Sequence, residues 1–346
     1  MKASFYKHIL EFKKPSGTSR GIIKTKETWF IVITHNKKQG IGECGILRSL
    51  SIDDRIDYED TLKWTCENIH IGKEKLWQEL IEFPSIQFGV EMAFRSLESS
   101  SPFLLHPSDF TSSKDVIPIN GLVWMGDKEF MKAQIIDRIE KGFHCIKLKI
   151  GAIDFKSEIK LLSYIRSHFS SDAIEIRVDA NGAFHPNEAL HKLNELSVYN
   201  IHSIEQPIRQ GQFSEMKKLC IETPIPIALD EELIGVFDRP EKESLLQTIQ
   251  PQYIILKPSL IGGYKGTQEW IDLANKYDIG WWVTSALESN IGLNAIAQYT
   301  YTLQNELPQG LGTGSLYTNN LHSPLEVNQG TLKYSINKKW EVPYFN

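Results

Sequence analysis

The chain has 346 residues, of which 41% are hydrophobic and 23% charged, as in globular proteins that bury a large core. Its 38 basic and 43 acidic side chains leave a net charge of −5 and form no basic block, which argues against a nucleic-acid partner. The sequence has no apolar run as long as a membrane span, no secretion signal at its start and no CxxC pair among its four cysteines, so we expect a cytoplasmic protein without a membrane partner.

The first 115 residues predict an α+β domain. Residues 29–34 are typical of a strand, residues 36–40 of a turn and residues 41–44 of a second strand, which together predict a hairpin. Residues 88–97 predict a helix, and the polar segment 99–115 predicts a linker. Near the end, residues 325–334 predict a returning strand. We therefore expect a domain made of 1–115 with a C-terminal return at 315–346.

Residues 116–314 alternate between strand and helix patterns. Eight strand candidates lie near Ile117, Cys145, Ile174, Ile201, Ile225, Tyr253, Trp281 and Gly310. Helix patterns separate them, although the one between Asp230 and Tyr253 is weakly marked. Eight alternating units in about 200 residues predict an α/β fold with a TIM-type barrel rather than an open sheet.

Five charged residues end successive strand-like runs at intervals of 25 to 30 residues: Lys149, Asp179, Glu205, Asp230 and Lys257. Because the carboxyl ends of parallel strands meet at one rim of a barrel, these side chains are predicted to lie together. Three clustered carboxylates would repel one another, and a divalent cation relieves this repulsion. All-oxygen ligands favour Mg²⁺, with Mn²⁺ as a possible substitute. Each carboxylate alone has a simpler interpretation as a helix cap.

The lysines flank the predicted metal site. Strand alternation places Lys147 and Lys149 on one face and the apolar residues between them on the other, so both lysines would point into the barrel. A surface strand with a solvated lysine face is the alternative. Lys257 would lie across the barrel mouth from Lys149, where two amines around a metal suit carbanion chemistry. The alternative for Lys257 is a structural ion pair.

Four further residues are candidates for supporting roles. Asn181 and Glu231 follow metal candidates and are predicted to orient them, with simple loop residues as the alternative. Ser285 is a candidate contact for a substrate carboxylate, and Glu288 for ordering Lys257 or the neighbouring loops. A helix beginning near residue 289 is the alternative explanation for this segment.

These motifs resemble the enolase superfamily in its muconate-lactonizing subgroup. The resemblance lies in Lys147-Leu-Lys149, Asp179-Ala-Asn, Glu205-Gln-Pro, Asp230-Glu and Lys257-Pro-Ser. Within the subgroup the chain most resembles the o-succinylbenzoate synthase family, through residues 88–93, 118–126, 285–295 and 310–314. The resemblance implies a modified (β/α)7β barrel with a capping domain, Mg²⁺ on Asp179, Glu205 and Asp230, and a small-molecule carboxylate substrate.

The implied activity is a dehydration in menaquinone biosynthesis. It converts 2-succinyl-6-hydroxy-2,4-cyclohexadiene-1-carboxylate to o-succinylbenzoate, with Lys149 as the base, Lys257 on the opposite face and Lys147 in support.

Other functions of the same site stay open at this point. A dipeptide epimerase or an N-succinylamino acid racemase would use the same metal and lysines, although dipeptide epimerases typically carry Asp-x-Asp where this chain has residues 311–314. A metal-binding barrel without turnover is the non-enzyme alternative. Residues 17–21 and 44–48 are expected to set specificity, and nothing in the sequence fixes an oligomeric state.

Overall fold

The computed structural model describes residues 1–18, 21–151 and 153–341, and for residues 16 and 18 it describes the backbone alone. The N-terminal part opens with an antiparallel sheet in the order β1-β2-β3, whose strands are β1 (Lys2–Thr18), β2 (Gly21–His35) and β3 (Lys38–Gly45). The predicted hairpin is β2–β3, and its tight turn is confined to Asn36 and Lys37, both in the left-handed region at φ 48° and 66°.

Three helices cover this sheet: α1 (Tyr58–Glu67), α2 (Lys73–Glu79) and α3 (Pro84–Glu98). Helix α3 is buried almost all round, because it lies between the N-terminal sheet and the rest of the molecule. Its backbone approaches β3 so closely that a Cβ added at Gly42 would lie 1.9 Å from the carbonyl oxygen of Gly89. Glycine at these two positions therefore permits the contact between helix and strand.

The predicted linker, 99–115, contains no helix or strand, yet it is anchored. The backbone N–H groups of Leu105 and His106 both donate to Gln298 Oε1 at 2.9 Å, and the carbonyl oxygen of Phe103 accepts from the side-chain amide of Gln298. The segment therefore ties the N-terminal part to the last helix of the barrel.

Seven parallel strands follow in one sheet in consecutive order: β5 (Gly121–Val123), β6 (Cys145–Lys149), β7 (Glu175–Asp179), β8 (Ser203–Glu205), β9 (Ile227–Leu229), β10 (Tyr253–Leu256) and β11 (Gly280–Val283). The preceding strand, β4 (Ile117–Pro118), belongs to a different sheet, so the first barrel strand begins later than the sequence indicated. An eighth segment closes the barrel, since Gly310 pairs in parallel with Thr284 and Gln309 with Ile119. The predicted TIM-type α/β barrel is confirmed.

Helices cover the outside of the barrel: α4 (Lys128–Glu140), α5 (Phe155–His168), α6 (Pro186–Ser197), α7 (Phe213–Glu222), α8 (Arg239–Ile249), α9 (Pro258–Ile261), α10 (Gly263–Lys276) and α11 (Asn290–Thr302). The side chain of Asp127 caps α4 by accepting from the N–H of Phe130 at 2.9 Å, as its sequence position predicted. The weakly marked helix is α8. Between the eighth segment and residue 341, where the described part of the chain ends, no helix follows, which gives the (β/α)7β arrangement.

The barrel core follows from strand alternation. Ile146 and Leu148 on β6 are fully buried against the helices, each worth about 1.5–3 kcal/mol of hydrophobic stabilisation. Inside the barrel, below the charged rim, Trp282 fills the space, and the guanidinium of Arg177 lies 4.2 Å from its ring centroid. The barrel is thus plugged from below, and its functional end is the carboxyl rim.

The last part of the chain makes two separate returns. Residues 316–318 meet the N-terminal sheet through backbone hydrogen bonds. The carbonyl oxygen of Leu316 accepts from the N–H of Lys13, and the N–H of Thr318 donates to the carbonyl oxygen of Glu11. The hairpin of β12 (Leu325–Asn328) and β13 (Thr331–Tyr334) pairs with β4 instead. Within the described ranges, no helix is both long enough and apolar enough to cross a membrane.

Candidate active site

The charged residues predicted from the sequence are brought to one rim. In the parallel register Lys149 is level with Asp179, and Asp179 is level with Glu205. Asp230 follows β9 directly, and Lys257 follows β10. The three carboxylates are buried, with Asp179 fully inaccessible to solvent, whereas Lys149 and Lys257 are partly exposed. The regular spacing of these residues along the chain therefore reflects one strand-and-helix unit between each of them and the next.

Each carboxylate holds a lysine in this structure. Lys149 Nζ lies 2.5 Å from Asp179 Oδ2, and Lys147 Nζ lies 3.0 Å from the same oxygen. Lys147 also donates to Glu205 Oε2, and Lys257 donates to Asp230 Oδ2. Among the described residues, no three carboxylate, imidazole or thiol groups converge as a ready-made metal cage. The lysines take up the charge of the carboxylates instead.

The electrostatics of the cluster nevertheless fit a cation. Burial and the neighbouring negative charge of Asp179 raise the pKa of Glu205 to about 8. The pKa of Asp179 lies well below its usual range, because the charges of Lys147 and Lys149 outweigh its burial. Glu205 Oε1 is buried without a hydrogen-bond partner, and the nitrogen of Lys257 is 3.9 Å away from it. An oxygen held buried and unsatisfied beside other carboxylates suits a metal ligand.

Two of the lysines carry a raised pKa for the same reason. Burial alone would lower the pKa of Lys147, but the charges of Asp179 and Glu205 outweigh it and raise that pKa above its usual range. The pKa of Lys257 is also raised, since Asp230 and Glu205 outweigh burial. Both side chains are therefore ammonium ions while they face the bare carboxylates.

Asn181 and Glu231 lie beside the cluster, as predicted. Asn181 Oδ1 accepts from Lys149 Nζ at 2.8 Å, its amide donates to Glu231 Oε1 at 3.1 Å, and its N–H donates to Asp179 Oδ1. Asn181 adopts φ 45°, in the left-handed region that asparagine tolerates well. Asn181 therefore contacts the lysine as well as the carboxylate.

The rim bounds a cavity of about 540 Å³. Lys149 and Asn181 line it on one side and Lys257 on the other, while its upper wall is largely apolar and includes Leu47 and Trp124. Lys149 is on the second strand of the barrel and Lys257 follows the sixth, so the two lie on opposite sides of an eight-stranded ring. The cavity is large enough for a drug-sized carboxylate.

The remaining predicted residues lie at different depths. Ser285 lines the cavity, and its hydroxyl is 2.6 Å from that of Thr313. Glu288 is fully buried behind the cavity wall and accepts from Ser259 Oγ at 2.6 Å. Of the expected specificity loops, 44–48 contributes Leu47 and Arg48 to the cavity. In the other loop, residues 19 and 20 lie outside the described residues.

The sequence interpretation missed Gln206. Its side chain is fully buried, and its Oε1 accepts from the N–H of Asp230 at 3.2 Å while its amide donates to the carbonyl of Ile208 and to Glu232. This residue thus fixes the backbone that carries one of the three carboxylates. Its position directly after Glu205 was the available signal, since an amide between two strand ends can bridge them.

Comparisons with known proteins identify the family of the chain. Residues 131–336 match the family described as Enolase C-terminal domain-like. The o-succinylbenzoate synthase of Desulfotalea psychrophila is 44% identical, over 97% of this chain and 99% of that protein. A crystal structure of MenC from Desulfotalea psychrophila has a TM-score of 0.86 at 41% identity, covering 96% of this chain and 99% of that chain.

Dipeptide epimerases share the architecture at lower identity. The substrate-liganded L-Ala-D/L-Glu epimerase from Bacillus subtilis has a TM-score of 0.82 at 21% identity, covering 98% of each chain. At that identity the likeness is one of fold. The chain belongs to the enolase superfamily and, within it, to the o-succinylbenzoate synthase family. The family predicted from the sequence motifs is confirmed.

Proposed function

We propose that this chain is a carbon–oxygen lyase that removes water from 2-succinyl-6-hydroxy-2,4-cyclohexadiene-1-carboxylate and forms o-succinylbenzoate, a step of menaquinone biosynthesis. One observation carries the proposal: Lys149 and Lys257 line a single cavity from opposite sides, with Asp179, Glu205 and Asp230 between them. Membership of the o-succinylbenzoate synthase family supplies the substrate class. The cytoplasm is the expected location.

The first chemical step is removal of the proton next to the substrate carboxylate. Lys149 is the base, and it must lose its own proton and its contact with Asp179 before it can act. Asn181 keeps the amine at the cavity wall through its hydrogen bond to Nζ. Lys147, deeper in the barrel, keeps Asp179 and Glu205 in place.

Negative charge then develops on the substrate carboxylate. Lys257 supplies a compensating ammonium from the opposite side, because Asp230 and Glu205 keep it charged. The residues that would hold a divalent cation are Asp179, Glu205 and Asp230, and such an ion would stabilise the same negative charge and raise the acidity of the neighbouring C–H. Mg²⁺ suits these hard oxygen ligands, and Mn²⁺ is the expected substitute.

The second step expels the hydroxyl group. The C–H electron pair forms the new ring double bond, the C–O bond breaks, and the proton taken by Lys149 leaves with the hydroxyl as water. The ring becomes aromatic, which makes this step strongly downhill. Because the same lysine accepts and returns the proton, the reaction needs no external acid.

The test is a turnover assay of the purified protein with the hydroxycyclohexadiene carboxylate. Turnover is monitored as the loss of the ultraviolet absorbance of this substrate. We expect turnover with Mg²⁺ and at least a hundredfold loss after chelation, restored by added Mg²⁺. Absence of turnover under all these conditions contradicts the proposal. Turnover that ignores the chelator removes the cation from it.

A racemase or epimerase is the competing activity, since two opposed lysines also allow proton exchange on both faces of a carbon. The same preparation is therefore incubated with N-succinylamino acids and with dipeptides in deuterium oxide. We expect dehydration to exceed any exchange on dipeptides by several orders of magnitude, because residues 311–314 offer no acidic side chain for a dipeptide amine. The reverse ranking would make the chain an epimerase.

A further inference from the structure

The backbone that carries Lys257 has little rigidity of its own. The sheet holds the chain as far as Leu256, which pairs with Val283, and Lys257 lies just beyond this register. The single turn α9 follows, and then Gly262 and Gly263, both in the left-handed region at φ 97° and 68°. One turn of helix is marginal by itself and glycine is the most flexible residue, so tertiary contacts must hold this segment.

Backbone hydrogen bonds connect Lys257 to the beginning of α10. The carbonyl oxygen of Lys257 accepts from the N–H of Leu260 at 2.8 Å. The N–H of Gly262 donates to the carbonyl oxygen of Pro258, and the carbonyl oxygen of Gly262 accepts from the N–H of Gly266 in α10 at 2.9 Å. A displacement at the beginning of α10 is therefore passed to Lys257 through three successive hydrogen bonds.

Two side chains of the N-terminal part hold the α9–α10 junction, which comprises residues 262–265. Trp77 Nε1 on α2 donates to the first carbonyl oxygen of the junction at 3.1 Å. Glu91 on α3 accepts with Oε2 from the N–H of Tyr264 at 2.5 Å and with Oε1 from the N–H of Lys265 at 3.2 Å. Both side chains are buried, so α2 and α3 fix the point at which α10 begins.

Glu91 is well suited to hold the beginning of a helix. Its carboxyl group lies at the N-terminus of α10, where backbone N–H groups have no partner within the helix and negative charge is favoured. It is 8% exposed, so little water competes for these donors. A Cβ added at Gly263 would lie 2.2 Å from Glu91 Oε2 and 3.0 Å from the Cα of Phe88. The absent side chain of Gly263 therefore allows α3 to reach the junction.

We propose that Glu91 and Trp77 are positioning residues for Lys257: they fix the beginning of α10, and the backbone hydrogen bonds of α9 carry that position to the lysine. The N-terminal part would then contribute more than a wall to the cavity. It would also set the place of one of the two catalytic lysines. The kinetic readout of this inference rests on the proposed dehydration.

The main variant is Glu91→Leu, which keeps the approximate size of the side chain and removes both acceptor oxygens. We expect kcat to fall by about 10- to 100-fold, as for other small misplacements of a catalytic group, while KM changes by less than about threefold. Glu91→Gln keeps one acceptor oxygen and should recover kcat to within about fivefold of the parent. Trp77→Phe keeps an aromatic ring and removes the donor, and it should lower kcat by about three- to tenfold.

The matched control is Glu269→Leu, later in the same helix. Glu269 accepts from the buried Lys242 at 2.7 Å between α10 and α8. Its replacement should lower the thermal unfolding midpoint, because the ammonium of Lys242 loses its partner, and should leave kcat within twofold of the parent. An equal loss of kcat in this control would overturn the proposal, because any weakening of α10 would then act alike.

Parental kcat in Glu91→Leu or in Trp77→Phe would also overturn the proposal, since the contacts of α9 with the barrel would then be sufficient to place the lysine. If Glu91→Leu does not fold, Trp77→Phe decides by the same measurements. Circular dichroism and the thermal unfolding midpoint show which variants are folded.

A second measurement is independent of turnover. The acetylation rate of Lys257 by an amine-reactive reagent is measured by mass spectrometry relative to the exposed Lys160. We expect the two junction variants, but not the control, to raise this ratio by threefold or more, because a displaced Lys257 loses its contact with Asp230. An unchanged ratio refutes the positioning role, whereas a raised ratio in a protein that dehydrates nothing would retain that role and reject the reaction.

Discussion

The substitution Glu205→Gln tests whether Glu205 is a metal ligand or a structural ion-pair partner of Lys147. In the cation-free site burial and the charge of Asp179 raise the pKa of Glu205 to about 8, so we expect this carboxyl to carry a proton at pH 7. A glutamine has the same shape and charge as that protonated form. Its carbonyl oxygen can accept from Lys147 as Glu205 Oε2 does, and its amide nitrogen takes the place of Oε1, which has no hydrogen-bond partner. Lys147 also keeps Asp179 at 3.0 Å.

The expected magnitudes follow from this equivalence. With chelator at pH 7, Glu205→Gln should change the free energy of unfolding by less than about 1 kcal/mol, the scale of one neutral hydrogen bond. If Glu205 were instead the ionised structural partner of Lys147, removing it would cost about 3–5 kcal/mol. With Mg²⁺ at a hundredfold excess over its dissociation constant, the parent should gain about 2.7 kcal/mol, and the variant should lose most of that gain.

The assay is urea unfolding of parent and variant, each with chelator and with Mg²⁺. A variant that is about 3 kcal/mol less stable than the parent in chelator refutes the protonated state of Glu205. A variant that keeps the full Mg²⁺-dependent gain refutes its role as a ligand. The two outcomes are independent, so the assay can refute the protonated state of Glu205 without refuting its role as a ligand, and the reverse.

The same carboxyl gives the cation-free protein a pH dependence of known sign. The folded pKa of Glu205 is about 8, against an ordinary value of 4.5, so between these pH values the folded state keeps a proton that the unfolded state has lost. Its contribution to stability therefore falls as pH rises from about 4.5 to about 8. Glu205→Gln should remove this part of the slope, which urea unfolding across that range will measure.

Three further predictions concern single side chains. Lys149→Ala and Lys257→Ala should each reduce dehydration by at least a thousandfold without loss of folded structure. The control Lys160→Ala, on the exposed face of α5, should leave kcat unchanged. Residual activity of Lys149→Ala within tenfold of the parent would remove Lys149 from its role. Asn181→Leu should lower kcat by about 10- to 100-fold with the Mg²⁺-dependent stabilisation retained, because it frees Lys149 Nζ but removes none of the three carboxylates; parental kcat would show that this hydrogen bond is dispensable. Phe88→Ala should lower the free energy of unfolding by about 3–5 kcal/mol, measured by urea unfolding. The reason is that Phe88 is fully buried between the N-terminal sheet and the barrel and packs edge-on against Tyr264. A loss below about 1 kcal/mol would mean that the interface repacks.

The sequence was sufficient for the barrel and its rim because both depend on local periodicity. Apolar alternation marked the strands, and a charged residue after each strand marked the carboxyl end, as at Asp179 and Glu205. The existence of a strand was easier to predict than the sheet to which the strand belongs. Ile117 has strand character, but it pairs with the C-terminal hairpin, and only tertiary contacts decide between the two sheets.

Other features could not be predicted from local patterns. The hydrogen bonds of Gln206 join two loops, and the burial of Lys26 depends on the sheet meeting the barrel at residues more than 200 positions apart. A lysine on an alternating strand is usually solvated, so its sequence favours an exposed position. Helix α9 is one turn long and lies directly after Lys257, and a single turn leaves no helical periodicity to detect.

The charge balance of the rim explains how one set of residues can serve both folding and chemistry. The three rim lysines face Asp179, Glu205 and Asp230, so in the cation-free site each buried carboxyl group has an amine partner. A divalent cation on the carboxylates would add two positive charges and withdraw those carboxylates from the lysines. The excess positive charge would then favour a bound carboxylate substrate. Lys149 and Lys257 both line the cavity, so a substrate bound there meets an amine on each side.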